Sequence, residues 1–135
     1  MKTLTLAATA GLAAAALIAA CAPEGRSASG KEVYLSLCAD CHGPDGKGDG
    51  PTRAGQPAAP ADLTGIAARN GGVFPRNQTM GRIYGYTMGK SEDHMPAFGD
   101  LLEGESIPYD AGDGLQTPTP WRLVALIEYL ETIQQ

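Results

Sequence analysis

Large core-forming side chains are scarce in this chain: two Phe and one Trp serve 135 residues. The length leaves room for one domain and no more. With 18 Gly and 10 Pro besides, much of it must be loop, and small loop-rich domains need a staple of disulfides, a metal or a cofactor. Basic charge is also short, with Lys+Arg 10 against Asp+Glu 15. Phosphate binding needs a basic face, so nucleic acid is not a partner. No segment alternates like a half-buried strand and no internal repeat is visible, so the predicted class is all-α. Only three Cys and two His are present. Whatever staple they build must be a small one.

The first twenty residues are unlike the rest. Lys2 precedes an apolar run from Leu4 to Ala20, rich in alanine and leucine, with small residues just before Cys21. That is the layout of a secretory signal peptide. An uncleaved anchor competes, but the run is short for a span of ~20 residues, and alanine drives insertion weakly. Ile18-Ala19-Ala20-Cys21 resembles the lipobox of bacterial lipoproteins, with Ile18 where leucine is usual. The resemblance implies cleavage before Cys21, acylation of that cysteine and a lipid anchor on a membrane surface. Ala-x-Ala sites for ordinary signal peptidase also stand here. The expected organisation is a signal peptide over 1–20, a tether over 21–29 and a single domain over 30–135. Loss of Lys2 makes the mature chain still more acidic, which suits solubility or a basic docking partner.

The two remaining cysteines lie in Cys38-Ala39-Asp40-Cys41-His42. This is C-x-x-C-H, the attachment signature of c-type haem. Two thiols add across two haem vinyl groups as thioethers, and the next residue offers its imidazole to the iron. A thioredoxin-like pair would want a βαβ context, which is missing. A zinc site would want two more ligands, yet only His94 and Cys21 remain. A plain disulfide gives no reason for His42. The following Gly43-Pro44-Asp45-Gly46-Lys47-Gly48-Asp49-Gly50 fails as a calcium loop, since Lys47 occupies a ligand position and Gln56 replaces the closing Glu. It reads as a turn-rich loop around the haem edge.

Ser29-Gly30-Lys31-Glu32 predicts a capping box, and Val33, Tyr34 and Leu37 form the apolar face of the helix it opens. A short helix is predicted from Asp62 or Thr64 to Gly71-Gly72, and another from about Gln78 to Gly89 with Ile83, Tyr84 and Met80 inward. Gly99 to Pro120 reads as a long loop. In the last helix Thr119 is the predicted cap, Pro120 the first helical residue, and Leu123, Leu126, Ile127 and Leu130 the apolar stripe.

This arrangement is similar to class I cytochromes c, over roughly residues 29 to 133. Gly30 and Tyr34 stand eight and four residues before the first haem cysteine, where that family packs a glycine and an aromatic against the terminal helix. Leu126 and Tyr129-Leu130 match the facing residues. Cys41-His42-Gly43, Gly46 to Pro51 and Pro60-Ala61-Asp62-Leu63-Thr64 look like segments of small bacterial monohaem members. The long acidic loop before Trp121 is the departure. The resemblance implies three to five helices around one covalent haem c, with the first and last helices crossing.

An electron carrier needs a second axial ligand opposite His42. Met80, Met88, Met95 and His94 are the candidates. Methionines at helical apolar spacing are more often core, which disfavours Met80 and Met88. Met95 stands in His94-Met95-Pro96-Ala97-Phe98-Gly99, which resembles the family's Met-Pro-x-Phe ligand loop. Pro96 restricts Met95 to extended backbone, and Phe98 is expected to cover the haem. The resemblance also implies a proline carbonyl receiving the second N–H of His42, with Pro60 the nearest match and Pro57 the next.

The expected function is electron transfer between redox proteins, with no small-molecule substrate. Seven acids (Glu92, Asp93, Asp100, Glu103, Glu105, Asp110, Asp113) lie between Lys90 and Arg122 without an intervening Lys or Arg, and are expected to meet a basic partner. A catalytic or gas-sensing haem protein is the alternative, and it requires a labile distal ligand. A fixed subunit of a larger oxidoreductase is a third reading.

Overall fold

The computed structural model describes residues 29–86 and 95–135. The expected signal peptide, Cys21 and all of the tether but Ser29 lie outside the described residues, as do Met88 and His94. Helix α1 spans Gly30–Leu37. It starts as its sequence dictates: Glu32 N donates to Ser29 Oγ at 3.3 Å, and Ser29 N donates to Glu32 Oε2 at 2.5 Å. Two helix-start donors are thereby satisfied. The backbone donor of Ser29, helped by its hydroxyl, holds the Glu32 carboxyl below its ordinary range.

The chain turns at Cys38 and continues as α2, Ala39–His42. Helix α6, Trp121–Thr132, packs across α1 and buries Leu123, Val124, Leu126, Ile127 and Leu130. The two helices approach until a side chain at Gly30 would overlap the Ala125 carbonyl. One turn on, the Tyr34 and Tyr129 rings meet with centroids 5.3 Å apart. Tyr34, Leu126 and Ile127 are fully buried. The crossing expected from Gly30, Tyr34 and Leu126 is therefore the centre of the core.

Helix α3, Ile66–Arg69, begins later than predicted. Asp62 instead caps a turn, accepting from Thr64 N and Thr64 Oγ1 at 2.8 and 2.7 Å, and the helix then ends before Gly71 and Gly72 as expected. Helix α4, Arg76–Tyr84, stops short of the predicted Gly89 because Gly85 closes it in the left-handed conformation. Met80 and Ile83 are buried, and Tyr84 stacks on Tyr86 rather than turning fully inward. Arg76 clamps α4 to α6 through both oxygens of Glu131, at 2.7 to 2.9 Å.

The stretch read as a long loop holds more structure than predicted. Helix α5, Gly99–Leu102, buries Leu102 completely. After it, β1 (Ser106–Tyr109) pairs antiparallel with β2 (Thr117–Pro120). Prolines hid these strands, since Pro108, Pro118 and Pro120 read as turn formers. Their phase explains how a ribbon tolerates them. Pro108 lies opposite Pro118, and two residues without N–H cannot exchange ladder bonds. The ladder therefore falls on Ile107↔Thr119 and Tyr109↔Thr117, in phase with the bond from Trp121 N to Glu105 O at 3.0 Å. The prolines then lie along the outer edges, where their missing donors discourage another strand from pairing.

That ribbon also corrects the start of α6. Thr119 does not cap it; its hydroxyl donates to Thr117 O. Pro120 is the N-cap rather than the first helical residue, with φ −53° and ψ 126°. The strand end supplies what the hydroxyl was expected to supply, because the Trp121 N–H goes to Glu105 O. The all-α class holds, with one two-stranded ribbon added. Six α-helices appear among the described residues rather than three to five, because the attachment helix is divided at Cys38 and several connections close as single turns.

Candidate functional site

Helix α1 ends by presenting Cys38. Its N–H donates to Tyr34 O at 2.8 Å, and its side chain is buried beside the core. Burial pushes the Cys38 thiol up to about 11, and the neighbouring Cys41 adds to the shift. Cys41, one turn later, is half-buried. Both are free thiols and form no disulfide.

His42 closes the motif, and the loop beyond it fixes the ring. Four amides return to α2: Gly43 N to Ala39 O at 2.8 Å, Gly48 N to His42 O at 2.8 Å, Gly50 N to Cys41 O at 3.1 Å, and Thr52 N to Asp40 O at 3.0 Å. The buried Tyr34 hydroxyl donates to Gly43 O at 2.5 Å, so the core helix itself holds the turn. Burial raises the Tyr34 pKa, which keeps that hydroxyl protonated and donating. Glycine is required at Gly48, where any side chain would collide with the Pro60 carbonyl. The strand of chain carrying Pro60 and Ala61 can therefore pass close behind His42.

His42 Nδ1 lies 2.9 Å from Ala61 O. This corrects the expectation for Pro60. The Pro60 carbonyl faces Gly48, and the next carbonyl along the chain reaches the imidazole instead. With Nδ1 committed to a carbonyl, Nε2 is the ring nitrogen left to coordinate. Two uncrosslinked thiols on a helix and an imidazole with one nitrogen committed make a donor set that fits a covalently bound haem.

Met95 and Phe98 are half-buried and pack against the core cluster. Phe98 N donates to Ile83 O at 2.9 Å, which pins this segment to α4. Met80 is buried in α4 as core, the role its spacing predicted. Sequence reasoning missed Thr52 and Gln56. Thr52 Oγ1 lies 3.2 Å from Cys41 Sγ, and Gln56 Nε2 lies 3.7 Å from it. Nothing in the spacing from Cys41 signals these contacts, because the intervening loop creates them.

A sequence model of the family described as Cytochrome c matches residues 27–134. The chain belongs to the cytochrome c family. A search of curated proteins and a search of solved structures each found no match. As a class I c-type cytochrome the protein carries haem c covalently, and its general role is electron transfer with redox protein partners. The mostly helical architecture agrees, with α1 and α6 crossing behind the attachment motif. In this cytochrome, Cys38 and Cys41 are the thiols at the attachment motif and His42 the imidazole beside them.

Proposed function

We propose that this cytochrome is a one-electron carrier ligated by His42 and Met95 and anchored outside a bacterial cytoplasmic membrane through Cys21. The observation that carries the reading is the bond between His42 Nδ1 and Ala61 O, set beside two free thiols at C-x-x-C-H spacing. When bound, the haem supplies the redox chemistry, its iron alternating between Fe(III) and Fe(II). The protein's share is to hold and shield. Cys38 and Cys41 make the attachment permanent, which suits an exported protein that cannot recover a lost cofactor. Ala61 fixes the His42 tautomer and makes the ring a better donor. Met95 supplies a thioether, which favours Fe(II) and raises the potential relative to two histidines. With His42 and Met95 both committed to the iron, no place would be left for a substrate. Phe98, half-buried against the same core cluster as Met95, would help to keep water from the haem.

The spectrum of the holoprotein tests this reading. A weak near-infrared sulfur-to-iron(III) band and a reduced spectrum indifferent to carbon monoxide are expected. Ready carbon monoxide binding by the parent protein would instead mean a labile site, and catalysis or gas sensing in place of electron transfer.

The partner is a redox protein with a basic docking face. Asp100, Glu103 and Asp113 are exposed in a segment free of Lys and Arg from 91 to 121. Opposite charge steers encounter and is screened by salt. Electron exchange with a basic redox partner should slow about tenfold or more between low and physiological ionic strength. Rates that ignore salt would remove this face from the docking surface.

A further inference from the structure

The two attachment sulfurs sit in unlike surroundings. Cys38 is buried against the apolar core, whereas the Cys41 sulfur meets two polar side chains from the loop beyond Gly50. That loop is laced to the attachment helix. Gly50 N donates to Cys41 O at 3.1 Å and Thr52 N to Asp40 O at 3.0 Å. The approach is so close that a side chain at Gly50 would overlap the Asp40 carbonyl. A 3-10 turn over Arg53–Gly55 follows, closed by Gln56 N donating to Arg53 O at 3.1 Å. It brings the Gln56 amide back to Cys41 Sγ, with Nε2 at 3.7 Å. Thr52 Oγ1 stands 3.2 Å from the same sulfur and 2.6 Å from Asp40 O.

The chemistry of the sulfur decides which way these bonds run. A hydroxyl has one hydrogen, so Thr52 donates to Asp40 O or to the sulfur, not fully to both. In the free thiol, the Cys41 S–H can fill the second contact itself. Thioether formation removes that hydrogen and leaves only lone pairs on sulfur. The sulfur then accepts alone, the Thr52 hydrogen is shared toward it, and the Gln56 amide must present nitrogen rather than oxygen.

We infer that Thr52 and Gln56 are hydrogen-bond donors to the Cys41 thioether and raise the reduction potential from that edge of the cofactor. Donors to a sulfur joined to the ring system withdraw electron density from it, which disfavours Fe(III) more than Fe(II). Cys38, in apolar surroundings, receives no matching side-chain donor among the described residues. The two residues act through Cys41 and are positioning residues. The inference rests on attachment at Cys41 and is independent of which group ligates opposite His42.

The test uses holoprotein carrying Thr52→Val, Thr52→Ser, Gln56→Met and the Val/Met pair, titrated for midpoint potential. The pyridine haemochrome spectrum counts thioethers in each, so a failure of attachment is seen separately from a failure of tuning. With both thioethers formed, the pair should shift the Fe(III)/Fe(II) ratio at fixed potential about threefold toward Fe(III), a fall of ~28 mV. Thr52→Ser, which keeps the hydroxyl, should return the parent value. A parent-like potential in the pair overturns the inference, and so does a Ser variant as low as Val, which would assign the effect to lost packing. If Thr52→Val does not mature, Gln56→Met decides alone: a lowered potential supports the inference and an unchanged one overturns it.

Discussion

Gly30→Ala is expected to lower the melting temperature of the holoprotein by roughly 10 °C or more, corresponding to a loss above ~3 kcal/mol. Two effects oppose each other here. Alanine is the better helix former by about 1 kcal/mol in a helix interior, less in the first turn where Gly30 stands. Against it, the new methyl would lie 2.6 Å from the Ala125 carbonyl carbon and 2.9 Å from Tyr129 Cβ, and closer still to the carbonyl oxygen. Backbone cannot rotate aside as a side chain can, so α1 and α6 must separate. Separation opens the contact of Tyr34 with Tyr129 and loosens the fully buried Leu126 and Ile127. It also disturbs Cys38, which α1 delivers. The variant should therefore mature poorly as well as melt early. A melting temperature at or above the parent's would show that the helices slide past the methyl without cost.

Met95→Ala is expected to abolish the sulfur-to-iron(III) band, open the haem to carbon monoxide and lower the midpoint potential by on the order of 100 mV, about fiftyfold in the Fe(III)/Fe(II) ratio. The reasoning joins sequence to placement. Pro96 holds Met95 extended, Phe98 anchors the segment to Ile83 O, and Met95 packs on the core rather than projecting into solvent. The fold should survive the substitution, because Met95 lies outside the α1–α6 crossing. Covalent attachment at Cys38 and Cys41 and the His42 bond to Ala61 are also untouched. A variant that keeps the band and refuses carbon monoxide would assign the distal position to another thioether, with Met88 the remaining candidate; one that loses the band yet still refuses carbon monoxide would point to His94.

Much of the fold was legible because local rules and tertiary needs agree in it. The capping box at Ser29 and Glu32 is satisfied within four residues, so nothing distant could overrule it. The apolar stripe of α6 has one way to be buried, and α1 carries the matching glycine and tyrosine. Where the reading failed, a distant partner had displaced a local one. Thr119 is a good cap by type, yet β1 brought Glu105 O to the Trp121 N–H first. Proline marked residues 108 to 120 as loop, yet opposed prolines fit a ribbon whose other residues carry the ladder. Gly85 ended α4 early because only its left-handed backbone shows where the chain leaves the helix.

The same division runs through the site. Cys38, Cys41 and His42 were determined by the sequence alone, because the chemistry of two thioethers and one imidazole demands a fixed local spacing and little else does. Which carbonyl holds His42 was decided only by tertiary structure. Pro60 and Ala61 are adjacent, and the close pass of Gly48 turned one carbonyl away and left the other facing the ring. Thr52 and Gln56 reached Cys41 for a like reason: a loop laced back at Gly50 sets distances that no count along the chain contains. Covalent chemistry is written in neighbouring residues, whereas hydrogen bonds to it depend on where the rest of the chain is able to pass.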